Sequence, residues 1–316
     1  MFKEYNFNLN KKKIWIAGHN GMVGRAIMKK LLNRKINVLT VDKNDLDLTS
    51  QNQTFNWVKA NLPQVIFIAA AKVGGILANS LNQAEFLYQN LMIQNNIIKS
   101  AVENNVEKLI FLGSSCIYPK EAEQPIKEEE LLCKPLEKTN EGYAIAKIAG
   151  LKLCSYLFKE HKKDFITIMP TNLYGPNDNY DLETSHVLAA LIKKITDAKE
   201  NKKESVEIWG TGKPKRDFLH VDDLADAVCF LAENHSSSEP INVGSSKEIS
   251  IKELAETIAK LEGWKGSFSY NKGMPDGTML KKLDTTKINQ LGWKPRIDIK
   301  TGIKETLREY KNFRFF

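Results

Sequence analysis

Through the first half of the chain, short runs that are apolar at nearly every position alternate with longer stretches whose apolar residues recur every third or fourth place. The first kind reads as strands buried on both faces, the second as amphipathic helices. Lys13-Ile14-Trp15-Ile16-Ala17 opens the series and stops at Gly18. Residues 21–32 follow, with Val23, Ile27, Leu31 and Leu32 on one side of a helix. Further strands are predicted over 37–41, 64–70, 108–113 and 165–169, and a long helix over 83–104. Such alternation argues for a parallel sheet with helices on both faces.

After residue 176 the texture changes. Residues 178–184 are polar and loop-like, Gly210-Thr211-Gly212-Lys213-Pro214 is a turn cluster, and a helix is predicted over 251–261. Residues 219–233 and 241–243 are expected to return to the main sheet. The chain therefore divides into a polar extension over 1–11, a main unit over 12–176 plus about 219–244, and a smaller discontinuous α/β lobe over 177–218 and 245–316. The extension is expected to be disordered or to lie along an edge.

Composition narrows the class. A chain of 316 residues with 42% hydrophobic and 27% charged content is an ordinary globular one with ample core. No apolar run approaches the roughly 18 residues that cross a bilayer, and the first residues lack the apolar segment of a secretory signal. Four cysteines without a C-x-x-C pair argue against a zinc site or a disulfide framework, so no metal and a reducing cytoplasm are expected. The net charge of +8 comes from scattered lysines, such as Lys29–Lys30 and Lys202–Lys203, without interleaved aromatics. That pattern argues against nucleic acid as a partner, and part of the excess suits an anionic substrate.

The first turn between strand and helix, Gly18-His19-Asn20-Gly21-Met22-Val23-Gly24, fits G-x-x-G-x-x-G. Glycines there let the backbone turn tightly and approach a pyrophosphate, whose charge meets the helix N-terminus. Asp42 ends the next strand, where a carboxylate hydrogen-bonds a ribose 2′-hydroxyl and repels a 2′-phosphate; Lys43 beside it would do the opposite. The expected fold is thus a Rossmann-type, doubly wound parallel sheet that binds a dinucleotide, with the smaller C-terminal lobe for substrate. Charge alone leaves NAD and NADP open.

Ser114 ends a predicted strand, and Tyr143 and Lys147, four apart, share one helix face. An ammonium near a phenol favours the phenolate, so Tyr143 is expected to trade a proton with a carbonyl oxygen while Ser114 bonds the same oxygen. Cys116 lies two residues beyond Ser114, on a loop expected to open into the same pocket. A lone cysteine is usually a small buried apolar residue, and that reading is given to Cys133, Cys154 and Cys229. His186, Lys194, Trp209, Arg216 and Asp276 carry no signal of their own.

Together these residues resemble the extended short-chain dehydrogenase/reductases, and within them the GDP-L-fucose synthase family, from about residue 13 to about 307. The most specific stretches are 69–76 (AAAKVGGI), 112–120 (LGSSCIYPK), 143–150 (YAIAKIAG), 169–176 (MPTNLYGP), 185–187 (SHV), 218–223 (FLHVDD) and 275–278 (PDGT). The resemblance implies 3,5-epimerisation and 4-reduction of a GDP-4-keto-6-deoxy sugar. Cys116 would be the base at C3 and C5 and His186 the acid on the opposite face; Tyr143, with Lys147 and Ser114, would serve the reduction at C4. It implies cofactor contacts at Gly18, Asn20, Gly21, Met22, Val23, Gly24, Asp42, Lys43, Ala70, Leu112, Gly113, Ser114, Tyr143, Lys147, Pro170, Asn172, Leu173 and His186. It implies substrate contacts at Ser115, Cys116, Asn172, Lys194, Trp209, Arg216 and Asp276, and a homodimer through residues 85–104 and 145–160.

Three positions depart from the family pattern. NADPH-using members carry an arginine where this chain has Asn20 and another near 41–43, which leaves Lys43 and Arg25 as the 2′-phosphate partners. NADPH is the expected cofactor, with NADH still open. Gly142 replaces a proline and would loosen the loop over 121–140, which would suit a larger GDP-4-keto-6-deoxyheptose; a 4-reductase of that sugar is the alternative.

Overall fold

The computed structural model describes residues 5–274 and 276–314. Pro275, the first residue of the 275–278 stretch, and residues 1–4 of the extension lie outside these. The first half runs β1 (Ile14–Ala17), α1 (Met22–Asn33), β2 (Val38–Leu39), α2 (Gln51–Asn61), β3 (Val65–Ile68), α3 (Ile76–Leu81), α4 (Gln83–Glu103), β4 (Lys108–Leu112), α5 (Glu141–His161) and β5 (Asp164–Pro170). The second half runs β6 (Asn172–Tyr174), α6 (Val187–Glu200), β7 (Ser205–Trp209), β8 (Lys215–His220), α7 (Val221–Asn234), β9 (Ile241–Val243), β10 (Glu248–Ser250), α8 (Ile251–Glu262), β11 (Ser267–Asn271), β12 (Leu280–Lys281), α9 (Thr286–Gln290) and α10 (Ile299–Arg314).

The main sheet has the order β2-β1-β3-β4-β5-β9, and every pairing in it is parallel. β1 and β3 are apolar throughout because both faces are covered, and β4, β5 and β9 depart from this only at Lys108, Asp164, Thr167 and Asn242. Ile14 and Ile16 join a core under α1 and α7, whereas Trp15 and Ala17 join a second core under α2, α4 and α5. Val65 and Phe67 alternate with Ile66 and Ile68 in the same way, as a period of two demands. The chain crosses from one side of β1 to the other after β2, so the carboxyl ends of β1 and β3 diverge into a crevice, where such sheets bind ligands.

The predicted edge strand over 37–41 shrinks to Val38–Leu39, since residues beyond Leu39 leave β1. The extension is docked rather than disordered over its described part. Leu9 is fully buried in the core under α1 and α7, and Phe7 N donates to Glu233 O at 2.8 Å.

The smaller lobe gathers a third core from Tyr174, Ile192, Ile208, Leu254, Ile258 and Ile303. α8 starts on a reciprocal cap between Ser250 and Glu253 and ends at Gly263, at φ +75°. β8 carries β10 on one side and β12 on the other and also pairs with β6. The chain thus leaves the main sheet at Thr171, five residues before the expected boundary at 176, and α7 and β9 return to it.

Candidate active site

At the mouth of the crevice, Gly18 turns at φ +89°, and a Cβ there would stand 2.5 Å from Ala70 N at the end of β3. A Cβ on Gly24 would meet Gly18 O at 2.1 Å, so glycine alone lets α1 start this close to β1. Gly21 caps α1 without a side-chain bond, leaving the amides of its first turn, Met22 to Gly24, for an external anion. The Met22 and Val23 side chains meanwhile pack on the core. The cradle fits a dinucleotide pyrophosphate.

Beside it, Asn20 Nδ2 donates to Asp42 Oδ1 at 2.6 Å, and His19 Nε2 lies 3.5 Å from the same oxygen. Arg25 Nε donates to Asn20 O at 2.9 Å. Lys43 is exposed, and its charge acts on Asp47. The ribose corner therefore presents a held carboxylate, with Arg25 and Lys43 at its margin.

Ser114 follows β4 and caps the short turn Ser115–Ile117, accepting from Cys116 N at 3.2 Å. Leu112 O holds Lys147 Nζ at 2.8 Å, and Gly113 admits Met169, whose sulfur would stand 2.4 Å from a Cβ there. Tyr143 and Lys147 share the inner face of α5, with the ammonium 5.8 Å from the phenol ring centre. Burial pushes Lys147 down to about 8. The phenol is raised above its ordinary value, first by burial and then by the nearby Cys116, with Ser114 pulling the other way. The expectation of a lysine-stabilised phenolate is thus reversed: burial keeps Tyr143 protonated, the form a proton donor to a ketone oxygen needs.

Cys116 is half-buried, and Lys281 Nζ of β12 lies 3.8 Å from its sulfur. His186 precedes α6 as its N-cap residue. Solvent reaches His186, but the protein crowding the imidazole withdraws water and lowers its pKa. Among the described residues no hydrogen bond joins it to Cys116 or Tyr143. Ser115 is buried, with its carbonyl accepting from Tyr118 N at 3.3 Å.

Pro170 closes β5 against Val243, and Asn172 starts β6 with Nδ2 donating to Asp217 O at 2.9 Å. Leu173 packs on the core beneath the cofactor cradle. Farther along the cleft, Lys194 Nζ stands 5.2 Å over the Trp209 ring and donates to Glu207 O. Asp276 accepts from Thr211 N at 2.6 Å and Thr211 Oγ1 at 2.8 Å, and its charge supports Arg216, whose pKa burial lowers. Two cations, an exposed tryptophan and a fixed carboxylate line this end.

Three findings lie outside the sequence reading. Cys133 is exposed, because the turn after Glu128–Glu130 runs over the surface; Cys154 and Cys229 are buried as expected. Lys281 had no signal, since its strand forms by pairing with the distant β8. Gly142, which replaces a proline, packs tightly on the start of α4. A Cβ there would stand 2.6 Å from Gln83 O, and Gly142 N donates to Gln83 Oε1 at 3.1 Å. Among the described residues no group of side chains could hold a metal ion, and no helix is long and apolar enough to cross a membrane.

Known proteins resemble this chain over most of its length. Residues 14–244 match the model of the NAD dependent epimerase/dehydratase family. The chain belongs to that family. Within it, the chain is 47% identical over 302 residues to a GDP-L-fucose synthase of Sinorhizobium fredii, covering 96% of each. Among solved structures, it resembles a GDP-6-OMe-4-keto-L-xylo-heptose reductase from C. jejuni (TM-score 0.90, 36% identity, 98% and 99% of the two chains). It also resembles a GDP-L-fucose synthetase from Naegleria fowleri bound to NADP (TM-score 0.90, 27% identity, 99% and 98%). Family members of this kind combine an epimerase or reductase site with a nicotinamide cofactor, which is the chemistry the cleft can perform.

Proposed function

We propose that the chain converts GDP-4-keto-6-deoxymannose to GDP-L-fucose by 3,5-epimerisation and NADPH-dependent 4-reduction. The observation that carries the reading is the convergence of Ser114, Cys116 and Tyr143 at the end of β4, where the thiol's charge is felt by the phenol. One ketone at C4 acidifies the hydrogens at C3 and C5, so a base beside the group that protonates the carbonyl oxygen can serve every step.

In this reading Cys116 removes the C3 and C5 protons, and His186, whose imidazolium is made more acidic by its surroundings, returns protons on the opposite face. When bound, NADPH supplies hydride to C4. Tyr143, kept protonated by burial, gives its proton to the C4 oxygen, and Ser114 bonds that oxygen. Lys147, anchored on Leu112 O, fixes the geometry of α5 against β4. The smaller lobe binds the GDP moiety, with Arg216 and Lys194 toward the diphosphate and Trp209 as an apolar wall.

Turnover of GDP-4-keto-6-deoxymannose with NADPH and NADH in parallel, with products identified by NMR, tests the assignment. Cys116→Ser is expected to abolish solvent-deuterium exchange at C3 and C5. Tyr143→Phe is expected to spare exchange and block reduction. Normal exchange in the cysteine variant would remove Cys116 from its role. The C. jejuni likeness favours a second reading, 4-reduction of a GDP-4-keto heptose such as the 6-deoxyheptose or a related GDP-4-keto sugar, and the same assay with such a sugar separates the two.

The chain is further proposed to act in the cytoplasm, where its free thiols stay reduced, as a homodimer. Tyr88 on α4 and Ile145 and Tyr156 on α5 leave an exposed apolar strip suited to a four-helix contact between copies.

A further inference from the structure

Lys281 is the second residue of β12, and β12 pairs in parallel with β8 so that Lys281 stands opposite Arg216. Residues opposite each other on neighbouring strands project to the same side, and like charges so placed repel. Here both cations face one sulfur. Lys281 Nζ is 3.8 Å from Cys116 Sγ, and the Arg216 guanidinium is near enough for its charge to interact with the thiol. Arg216 has Asp276 as a counter-charge. Among the described residues no carboxylate pairs with the Lys281 ammonium. An anion on Cys116 is what relieves this arrangement.

The contact is built into the fold. Ile126 N donates to Lys282 O at 2.8 Å, Asp284 N to Ile126 O at 2.8 Å, and Lys282 N to Gln124 Oε1 at 3.0 Å. The loop that follows Cys116 is thereby laced to the strand that carries Lys281. Among the described residues, the Tyr143 phenol and Ser114, whose hydroxyl oxygen accepts from Cys116 N, also stand against Cys116 and carry no cationic charge.

We propose that Lys281 is a positioning residue that holds Cys116 as the thiolate, the form able to take a proton from carbon. Its purpose rests on the epimerase reading above; its geometry does not. The thiol proton passes to solvent, and the ammonium keeps all of its own. The sulfur lone pair then takes the C3 or C5 proton, re-forming S–H, while the C–H electron pair moves toward the ketone as an enediolate. Lys281 forms and breaks no bond. The base is complete only when the smaller lobe lies against the turn after β4.

The test uses no substrate, so failure of the sugar-nucleotide assignment would leave it untouched. In a Cys133→Ser chain the exposed thiol is gone, and burial pushes Cys154 and Cys229 up to about 12, out of competition. The rate of iodoacetamide alkylation at Cys116, followed by peptide mass spectrometry between about pH 5 and 9.5, then gives a titration midpoint. Lys281→Met is expected to move that midpoint upward by about one unit, roughly a tenfold loss of thiolate near neutrality. Lys281→Gln, which keeps reach and hydrogen bonding without charge, is expected to move it the same way, and Lys281→Arg to restore it. Unfolding temperature and NADPH binding, measured on each variant, identify any that misfold. Midpoints in folded Lys281→Met or Lys281→Gln equal to that of the parent would overturn the proposal.

Discussion

The Asn20 side-chain amide grips Asp42 Oδ1 at 2.6 Å, tying the glycine turn to the end of β2. This bond fixes a carboxylate where the adenosine ribose lies in such folds, and a fixed negative charge there opposes a 2′-phosphate. Two unit charges at about 4 Å in water interact by about 1 kcal/mol, roughly fivefold in binding. Asp42→Asn is therefore expected to raise kcat/KM for NADPH about fivefold and to lower it for NADH. Steady-state assays with both cofactors measure the ratio; an unchanged ratio would mean that Arg25 and Lys43, not Asp42, set the preference.

Gly142 is expected to resist the substitution that helix propensity favours. Ala in place of Gly inside a helix stabilises by about 1 kcal/mol where space allows. Here a Cβ would stand 2.6 Å from the Gln83 carbonyl oxygen, a backbone atom at the start of α4. Overpacking of that kind costs on the order of 1–3 kcal/mol. Urea unfolding of Gly142→Ala should show a loss of stability; a gain would mean that α4 shifts freely.

The main sheet was legible because burial on both faces leaves a largely apolar run at its central strands, and the glycine turn between β1 and α1 carries the dinucleotide pattern. α2 was not, since Phe55, Trp57 and Val58 are too few and too close together to show a helical period. The proposed catalytic residues Ser114, Cys116, Tyr143 and Lys147 sit near one another in sequence and meet where the end of β4 adjoins α5. The smaller lobe hid its contributions. Lys281 belongs to a two-residue strand held by pairing with the distant β8 and by the loop at 124–126, and no local pattern encodes such pairings. The direction of the Tyr143 shift differs from expectation for a related reason: the spacing reveals a lysine nearby, whereas burial by the rest of the fold raises the phenol's pKa.

At the amino ends of β4 and β5, the end of the sheet away from Ser114, His235 gives stability a pH dependence. Burial, and then the neighbouring Lys108 charge, push its imidazole down to about 4, against a partial pull from Asp164. Between about pH 6.5 and 4 the unfolded chain holds this proton and the folded chain does not, so the contribution is lost as pH falls through that window. Asp217, pushed up to about 6, acts oppositely because the folded state holds its proton longer. The His235 part is isolated by comparison with His235→Gln. The stability difference between parent and variant should shrink from pH 7.5 to 5 in urea titrations; a constant difference would show that the imidazole titrates normally.

Trp209 and Lys194 give the last expectation, because their contact separates substrate binding from chemistry. The Lys194 ammonium sits 5.2 Å above the indole, 39% of the tryptophan residue is exposed, and among the described residues neither hydrogen-bonds to Cys116 or Tyr143. The ring both walls the cleft and steadies the cation, and a cation over an aromatic face contributes about 0.5–2 kcal/mol. Trp209→Ala should thus raise KM for the sugar nucleotide by roughly tenfold while leaving kcat and the NADPH KM nearly unchanged, the pattern of lost uniform binding. Initial-rate kinetics with each reactant varied in turn decide it. A fall in kcat at unchanged KM would place the indole beside the reacting carbons rather than beside the diphosphate.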